Sequence, residues 1–590
     1  MKNKEKLIRY CIYTISIVGL VACIAVLFPQ VRDMIIKLGE RMLHRETSLY
    51  QEWHRTLLSY AIGGICLIVF FDYCSLTTSG KTLVSKVKNE IRYCLAEIDW
   101  RSFIKPVLLM SGIYLLGILS IIRANFLYWD DISRSAVGYR GWYDWSRYVS
   151  ELLSVFIHAD FHLTDIAPMT QLLAILFLGV SSVLLVYVLN NRKITIIGLL
   201  ASIPVGLSPY MLGCLSYRFD APYMALSVLA SIVPFLFLAR KKAFVFCSVI
   251  SLLVMCMTYQ AASGIYLLVA LVLCFNDWNG KRKTNREVFL FLGRAVLSFC
   301  VAMLIFKLFL MKPINMGYSS TEMLPLPQLF SGMLANFYAY ANIINSDFGF
   351  IWKIIIAIIF CFFIVKSVHT SAQNKVISSL VAIIFLCLLF FLSYGVFLAL
   401  ENPLFAPRAM YGFGVLLAII NIYIVLNFNK IAKIFAFVLS WSFFVFAFSY
   451  GDALADQMRY VNFRASILLH DLSVLYPDKD ENEMLIQLDN TIGFTPSVRS
   501  IAQHNPVIYR LVPQIINGNT GIFSFYYLLE YFNYAPVTIG KPSNGGAMRS
   551  SELDFNTLDL PIVLKTYYHT IRSDGKRVLV ELNERTVKEN

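Results

Sequence analysis

The chain has 590 residues, 58% of them apolar and 15% aromatic, and its formal net charge at pH 7 is +14. Apolar runs of helical length recur up to residue 450, so the composition excludes an ordinary soluble globular protein and predicts a polytopic helical membrane protein. The basic excess lies in this apolar part, because the segment after residue 450 carries about 13 basic and 16 acidic side chains. It indicates membrane orientation and contact with anionic headgroups, and it gives no support to nucleic-acid binding.

About thirteen apolar runs are long enough to approach or cross a bilayer. In chain order they are 8–28, 56–72, 106–122, 168–188, 194–213, 221–239, 243–259, 261–275, 288–311, 350–366, 376–398, 409–427 and 433–450. Short clusters of lysine and arginine fall on alternate loops, and the positive-inside rule then predicts a cytoplasmic N-terminus. An odd number of spans sends everything after residue 450 to the other side, which is the periplasm in a Gram-negative cell.

We expect three regions: an N-terminal extension with two spans over 1–105, a transmembrane catalytic core with outer loops over 106–450, and a small periplasmic α+β domain over 451–590. In the last region the pattern predicts a helix over 452–475, a strand over 484–488, helical segments near 497–516 and 523–532, and a hairpin of strands 563–571 and 577–582.

The residue pattern indicates neither a metal nor a cofactor. All 12 cysteines lie before residue 390 and are scattered along apolar runs, which is typical of small buried side chains. His158 and His162 have the spacing of a helical metal pair but lack a matching third ligand. No Walker or Rossmann glycine pattern occurs, so we expect any donor used outside the membrane to be lipid-linked.

Two adjacent carboxylates, Asp130 and Asp131, follow the apolar run 106–122 directly. Charge at the membrane edge marks a functional site by default, and an enzyme acting on a lipid-linked headgroup needs a general base at this depth. The alternative is an interfacial stop signal in which Tyr128 and Trp129 anchor a helix end.

Several cations lie on the same predicted outer side. Arg218 can bind a phosphate bidentately, where a glycosyl transfer develops negative charge, although a surface pair with Asp220 is an equal alternative. Arg408 at a helix mouth and Arg134 after the Asp pair are further candidates, with snorkelling the alternative for Arg408. The tract 141–168 interleaves aromatic and charged residues, which suits either a membrane-surface helix or a platform for sugar rings.

Together these tracts resemble a known family, the integral-membrane glucosyltransferases that modify bacterial O-antigen and convert serotype, often called Gtr-type. The resemblance covers roughly residues 105–475 and is carried by 128–134, 206–211, 215–220, 407–408 and 451–454. In that family the Asp pair normally follows the first span, whereas about a hundred residues and two predicted spans precede it here.

The resemblance implies a GT-C-like fold and the transfer of glucose from undecaprenyl-phosphate-glucose to the O-antigen repeat of lipopolysaccharide, on the periplasmic side of the inner membrane. The displacement would invert the anomeric centre, with no cofactor and no metal. A flippase and a donor-synthesising glucosyltransferase would be partners in the membrane. The extension at the N-terminus is not explained by the resemblance.

For this reaction we expect Asp131 to be the general base and Asp130 to orient an acceptor hydroxyl. Arg218 would hold the phosphate leaving group, assisted by Arg408 or Arg134. The candidates for sugar contacts are Tyr217, Asp220, Trp129 and Tyr210. Two alternatives stay open: a flippase or other carrier of lipid-linked sugars, and an O-antigen polymerase.

Overall fold

The structure is a computed structural model that describes residues 78–312, 320–426, 429–477, 485–518, 524, 526–532 and 558–584. The predicted apolar runs 8–28 and 56–72, and with them most of the N-terminal extension, lie outside these residues. The chain is mostly helical, and its helices in order are α1 (Thr78–Ala96), α2 (Arg101–Ala124), α3 (Asp130–Val137), α4 (Tyr148–His158), α5 (Met169–Leu189), α6 (Ile196–Ala201), α7 (Pro204–Leu207), α8 (Pro209–Leu215), α9 (Ala221–Ile232), α10 (Lys241–Cys256), α11 (Ser263–Asn279), α12 (Asn285–Ile305), α13 (Leu329–Asp347), α14 (Phe350–His369), α15 (Lys375–Leu392), α16 (Gly412–Val425), α17 (Lys430–Leu475), α18 (Pro496–Ala502) and α19 (Ile508–Leu511).

Within the described ranges, seven helices are long and apolar enough to cross a membrane: α2, α5, α11, α12, α14, α15 and α17, some with short helical extensions. An eighth span would be the pair Ile196–Leu207 and Pro209–Leu215, which is bent by 61° at its break. The predicted runs 221–239 and 409–427 form shorter apolar helices, Ala221–Phe237 and Gly412–Val425. The count of about thirteen spans therefore stays a prediction, as does the side on which the C-terminal region lies.

The helix α16 lies at the centre of the bundle. All of its residues from Gly412 to Val425 are buried, and it contacts α14, α11 and α17. A helix that is apolar all round is typical of a protein core or of a membrane span, and here the surrounding helices bury it, so the segment needs no polar face. The helices α5 and α9 also pack along one another, next to α2.

The helices α2 and α17 pack closely against each other where Ser120 meets Gly451. The oxygen Oγ of Ser120 donates a hydrogen bond to the carbonyl oxygen of Ala447 over 3.0 Å. A Cβ atom built on Gly451 would lie 2.3 Å from that Oγ and 2.5 Å from the backbone carbonyl carbon of Ser120. Small residues at a helix crossing allow this approach, so Gly451 fixes how α2 sits against α17. The helix α17 is continuous through the predicted domain boundary at residue 450.

The loop after α2 is built by local backbone preferences. The helix ends at Asn125, whose φ of 50° is left-handed, a conformation that asparagine tolerates better than most residues. The helix α3 then begins with Asp130 and Asp131 in its first turn, where carboxylates interact favourably with the helix dipole. Gly138, with a φ of 69°, ends α3.

The C-terminal region contains a four-stranded sheet with the strands β1 (Leu485–Asp489), β2 (Ile562–Lys565), β3 (His569–Ser573) and β4 (Arg577–Leu582). Their order is β1-β4-β3-β2, with β1 parallel to β4 and the other pairs antiparallel. The predicted helix over 452–475, the strand near 484–488 and the hairpin turn after residue 573 are confirmed. Helical turns also lie within the predicted segments, in α18, α19 and Tyr526–Tyr531.

One predicted strand is wrong. The run 563–571 is not continuous, because it divides into β2 and β3, which pair with each other. The hydroxyl oxygen of Thr566 accepts hydrogen bonds from the amides of Tyr568 at 3.2 Å and His569 at 3.1 Å. Threonine side chains that bond to the backbone in this way turn the chain, and the alternation of apolar residues across the turn concealed it.

Candidate active site

The carboxylate of Asp131 joins the loop after α2 to the turn between α8 and α9. The side chain is fully buried, and its oxygens accept hydrogen bonds from the backbone amides of Tyr128 at 3.3 Å, Arg218 at 2.9 Å and Phe219 at 3.4 Å. Burial raises the pKa of Asp131 to about 8, because desolvation outweighs the hydrogen bond from the Arg218 amide. The two segments that carry the predicted base and the predicted phosphate ligand are therefore fastened together.

The neighbouring carboxylate, Asp130, is in a different environment. It is the first residue of α3 and is half-buried. In the part of the chain that the structure describes, its oxygens form no hydrogen bond or ion pair. Its charge acts on the guanidinium of Arg134 and on the hydroxyl of Tyr217. Of the two carboxylates, Asp130 is thus the one whose oxygens are open to a ligand.

The guanidinium of Arg218 lines a cleft of about 350 Å³ at the end of α2. Its Nε donates to the carbonyl oxygen of Phe126 at 3.3 Å, its Nη2 donates to Oδ1 of Asn125 at 2.5 Å, and its Nη1 pairs with Asp165. Because a guanidinium has five N–H groups, these three contacts leave two for another acceptor. The cation is held in place by a half-exposed carboxylate and still offers donors.

The suggested surface pair of Arg218 with Asp220 is wrong. Asp220 pairs instead with Arg134, and both side chains are only 5% exposed. Trp142 also donates its indole N–H to Asp220, and its ring lies 4.4 Å from the Arg134 guanidinium carbon. Although burial acts in the opposite direction, the charge of Arg134 lowers the pKa of Asp220. Arg134 and Asp220 thus form a buried ion pair whose charges cancel, and this pair joins α3 to the turn before α9.

Two more predicted residues contact each other. Arg408 donates from Nη1 to the hydroxyl of Tyr217 over 2.5 Å. The ring of Tyr217 meets the ring of Tyr128 edge-on, with centroids 4.7 Å apart. The hydroxyl of Tyr128 donates in turn to the carbonyl oxygen of Leu511, in the C-terminal region, over 2.7 Å. The site therefore includes a contribution from a segment far along the chain.

The last two predicted residues, Tyr210 and Trp129, lie at the margin of the candidate site. Tyr210 is fully buried and donates its hydroxyl proton to Oδ2 of Asp347 over 2.7 Å, and Asp347 also pairs with Arg510. Tyr210 thus belongs to a network that fastens the bundle to the C-terminal region. Trp129 precedes Asp130, is half-buried, and has a left-handed φ of 50°. Hydrogen bonds, ion pairs or ring contacts connect the other predicted site residues to one another or to the loop that carries Asp130.

Sequence reasoning missed five residues of this region: Asn125, Asp165, Arg147, Tyr259 and Arg510. The guanidinium carbon of Arg147 lies 4.5 Å from the ring centre of Tyr259. The Arg147 Nε and the Tyr259 hydroxyl are buried and have no hydrogen-bond partner among the described residues. Asp165 and Arg147 lie in the tract of aromatic and charged residues that the sequence marks, whereas the other three carry no local signal.

A histidine of the predicted helical pair takes part in packing. The ring of His158 stacks on the ring of Phe219, with centroids 5.8 Å apart. No group of three His, Cys, Asp or Glu side chains that could hold a metal ion occurs within the ranges that the structure describes.

Comparison with known proteins shows to which family this chain is similar. The model of the family described as glucosyl transferase GtrII matches residues 119–446, more than half of the chain, and the match includes Asp130, Asp131, Arg218 and Arg408. A protein of Salmonella phage P22, described as an uncharacterized 55.3 kDa protein in the gtrB 5' region, is 24% identical over 430 residues, which cover 69% of this chain and 86% of the relative. No solved structure matches the chain significantly. With its apolar helices and its matching core, the chain belongs to the GtrII family of glucosyl transferases.

Proposed function

We propose that this glucosyltransferase moves glucose from undecaprenyl-phosphate-glucose to the O-antigen repeat of lipopolysaccharide, on the periplasmic side of the inner membrane. The family supports glucosyl transfer. A donor anchored in the membrane is supported by the position of the site, at the ends of apolar helices. The alternation of basic loops supports an outward-facing site.

The observation that carries the mechanism is the bridge made by Asp131. Its carboxylate binds the amide of Arg218, so the loop that presents Asp130 and the turn that presents Arg218 keep a fixed relation. General-base catalysis and stabilisation of a leaving group both depend on such preorganisation. Three backbone amides already occupy the oxygens of Asp131, and burial raises its pKa, so we assign Asp131 to positioning and Asp130 to the chemistry.

In this mechanism an oxygen of Asp130 takes the proton from the acceptor hydroxyl. The acceptor oxygen forms a bond to the anomeric carbon of glucose while the bond from that carbon to the phosphate oxygen breaks, and the configuration inverts. The lipid phosphate leaves with its electron pair, stabilised by the two remaining N–H groups of Arg218 and by Arg408. Because Asp220 neutralises the charge of Arg134, we assign Arg134 to holding the Asp130 loop in position and not to binding the phosphate.

We assign the sugar contacts from the exposure and the existing partners of the candidate side chains. Trp129 is half-buried beside Asp130, and its ring suits the apolar face of a glucose unit. Tyr217 is held by Arg408 and presents its ring edge to Tyr128. We assign both to the substrate pocket, and we assign Tyr210 and Asp220 to its support, because each already has a buried ionic partner.

The decisive experiment compares three single variants at matched membrane expression: Asp130→Asn, Asp131→Asn and Asp160→Asn. The mass of O-antigen repeats is measured in cells, and glucosyl transfer is timed with the purified chain. The first variant should lower the transfer rate by about 10²–10⁴-fold, the range for loss of a general base. Asp160→Asn is the matched control, because Asp160 is exposed and, in the described part of the chain, its side chain accepts hydrogen bonds from the neighbouring backbone alone.

A hexose that is still added at the normal rate by Asp130→Asn would overturn the assignment of the base. Loss of transfer in Asp131→Asn alone, with the protein folded, would return that role to Asp131. The bent pair of apolar helices favours a second candidate, a carrier of lipid-linked sugar, because broken helices are common at transport sites. Movement of the donor across vesicles without hexose transfer by the purified chain would establish the carrier instead.

A further inference from the structure

A second cavity lies at the opposite end of the helical bundle. Its volume, which includes open solvent at its mouth, is about 720 Å³, and it is lined by the last turns of α5, α11, α14 and α16. Gln171, in the first turn of α5, lines the active-site cleft, whereas Leu189, at the end of the same helix, lines this cavity. At 1.5 Å per residue the two are about 27 Å apart along the helix. The cavity is therefore a separate site.

A buried lysine stands in the wall of this cavity. Lys366 is 7% exposed, and its Nζ donates to the carbonyl oxygens of Tyr423 and Leu426 at the end of α16. The ammonium also lies 4.5 Å from the ring centre of Tyr423. Because an ammonium has three N–H donors, two carbonyl contacts leave one for a ligand. The charge is thus fixed in place and incompletely bonded.

A second cation faces the same cavity. Arg282 lines it, and its Nη1 lies 3.5 Å from Oδ1 of Asn191. Asp277, which is close in the chain, pairs with Lys283 over 2.6 Å. No Asp or Glu is among the lining residues that the structure describes. Two like charges, the buried Lys366 and the exposed Arg282, therefore face a cavity that has no carboxylate in its described wall. A buried charge such as that of Lys366 is normally paired.

The remaining polar lining is neutral. Side-chain amides come from Asn190, Asn276 and Asn279, and Thr370 adds a hydroxyl. Cations combined with amides, without carboxylates, are the groups that recognise phosphate oxygens, and basic pockets between spans bind anionic lipid headgroups. We propose that this cavity is a phosphate-binding site, and that an anionic phospholipid headgroup from the surrounding leaflet occupies it.

The test is native mass spectrometry of the purified full chain in detergent, titrated with phosphatidylglycerol, with phosphatidylcholine and with inorganic phosphate. The variants are Lys366→Gln with Arg282→Gln, Arg282→Gln alone, Lys366→Arg, and the control Lys281→Gln. Lys281 precedes Arg282 and is exposed, so its variant removes the same surface charge without changing the cavity wall.

We expect one phosphatidylglycerol to bind in preference to phosphatidylcholine. Affinity should fall about fivefold on losing one cavity cation and about 25-fold on losing both, whereas Lys281→Gln and Lys366→Arg stay near the unmodified chain. If the double variant that contains Lys366→Gln does not fold, Arg282→Gln alone decides, because the Arg282 side chain is exposed. Competition by inorganic phosphate at low concentration would identify free phosphate as the occupant of the same site. Equal losses in Lys281→Gln, or no loss in any variant, would overturn the proposal.

Discussion

The contact between Gly451 and Ser120 lies outside the candidate site, so a substitution there tests how the helix packing sets the geometry of the site. Replacing Gly451 by alanine adds a Cβ atom 2.3 Å from the Ser120 Oγ and 2.5 Å from its carbonyl carbon, where ordinary contacts begin at 3.4 Å. The hydroxyl can rotate, but the backbone atom cannot, so α2 and α17 must separate by about 1 Å. The helix α2 leads directly into the loop that presents Asp130, and that loop has to move with it.

The magnitude follows from two opposing effects. Overpacking of this kind costs about 1–3 kcal/mol, whereas glycine to alanine within a helix contributes about 0.5–1 kcal/mol in favour of folding. We expect Gly451→Ala to lose about 1–2 kcal/mol of stability. Because the Asp130 loop is displaced relative to the Arg218 turn, kcat should fall more than KM rises.

The assay is thermal unfolding in detergent combined with the rate of glucosyl transfer. Gly112→Ala is the matched control, because Gly112 also lies in α2 and, among the described residues outside its own turn of helix, no heavy atom lies within 4 Å of its added Cβ. This variant should unfold at the same or a slightly higher temperature and retain activity. If both variants have the same Tm and the same kcat, the reasoning that ties the site to this crossing is refuted.

Three further predictions concern buried charges. Burial raises the pKa of Asp131 to about 8 from an ordinary 3.8, so its protonation stabilises the fold below about pH 4 and this contribution is lost as pH rises through about 8. The Tm of the unmodified chain should fall more steeply over that range than the Tm of Asp131→Asn, and parallel curves would contradict this. Asp220→Asn leaves Arg134 buried without its counter-ion and should cost about 3–5 kcal/mol in thermal unfolding; an unchanged Tm would show that the pair contributes little. Arg510→Gln removes the cationic partner of Asp347 and should speed limited proteolysis of the C-terminal region, whereas unchanged cleavage would mean that other contacts hold this region.

Hydropathy and local chemistry determined the class of this protein. The apolar runs predict the helices of the bundle because burial in a bilayer or a bundle requires long apolar segments, whatever their neighbours. Asp130 and Asp131 start a helix because carboxylates favour a helix N-terminus. The resemblance carried by the Asp pair and by the Arg218 turn identified the family correctly, since those tracts lie inside the matched range.

Only the tertiary structure decided which charged groups pair with one another. Asp131 binds an amide 87 residues away, Arg134 pairs with a carboxylate 86 residues away, and Arg218 pairs with Asp165 rather than with Asp220, two residues along. A desolvated charge pairs with whichever opposite charge the packing of helix ends brings close, and sequence spacing does not record that packing. The sequence therefore marked candidate residues for the site. Only the fold shows that Asp131 accepts hydrogen bonds from three backbone amides, whereas the oxygens of Asp130 have no hydrogen-bond partner among the described residues.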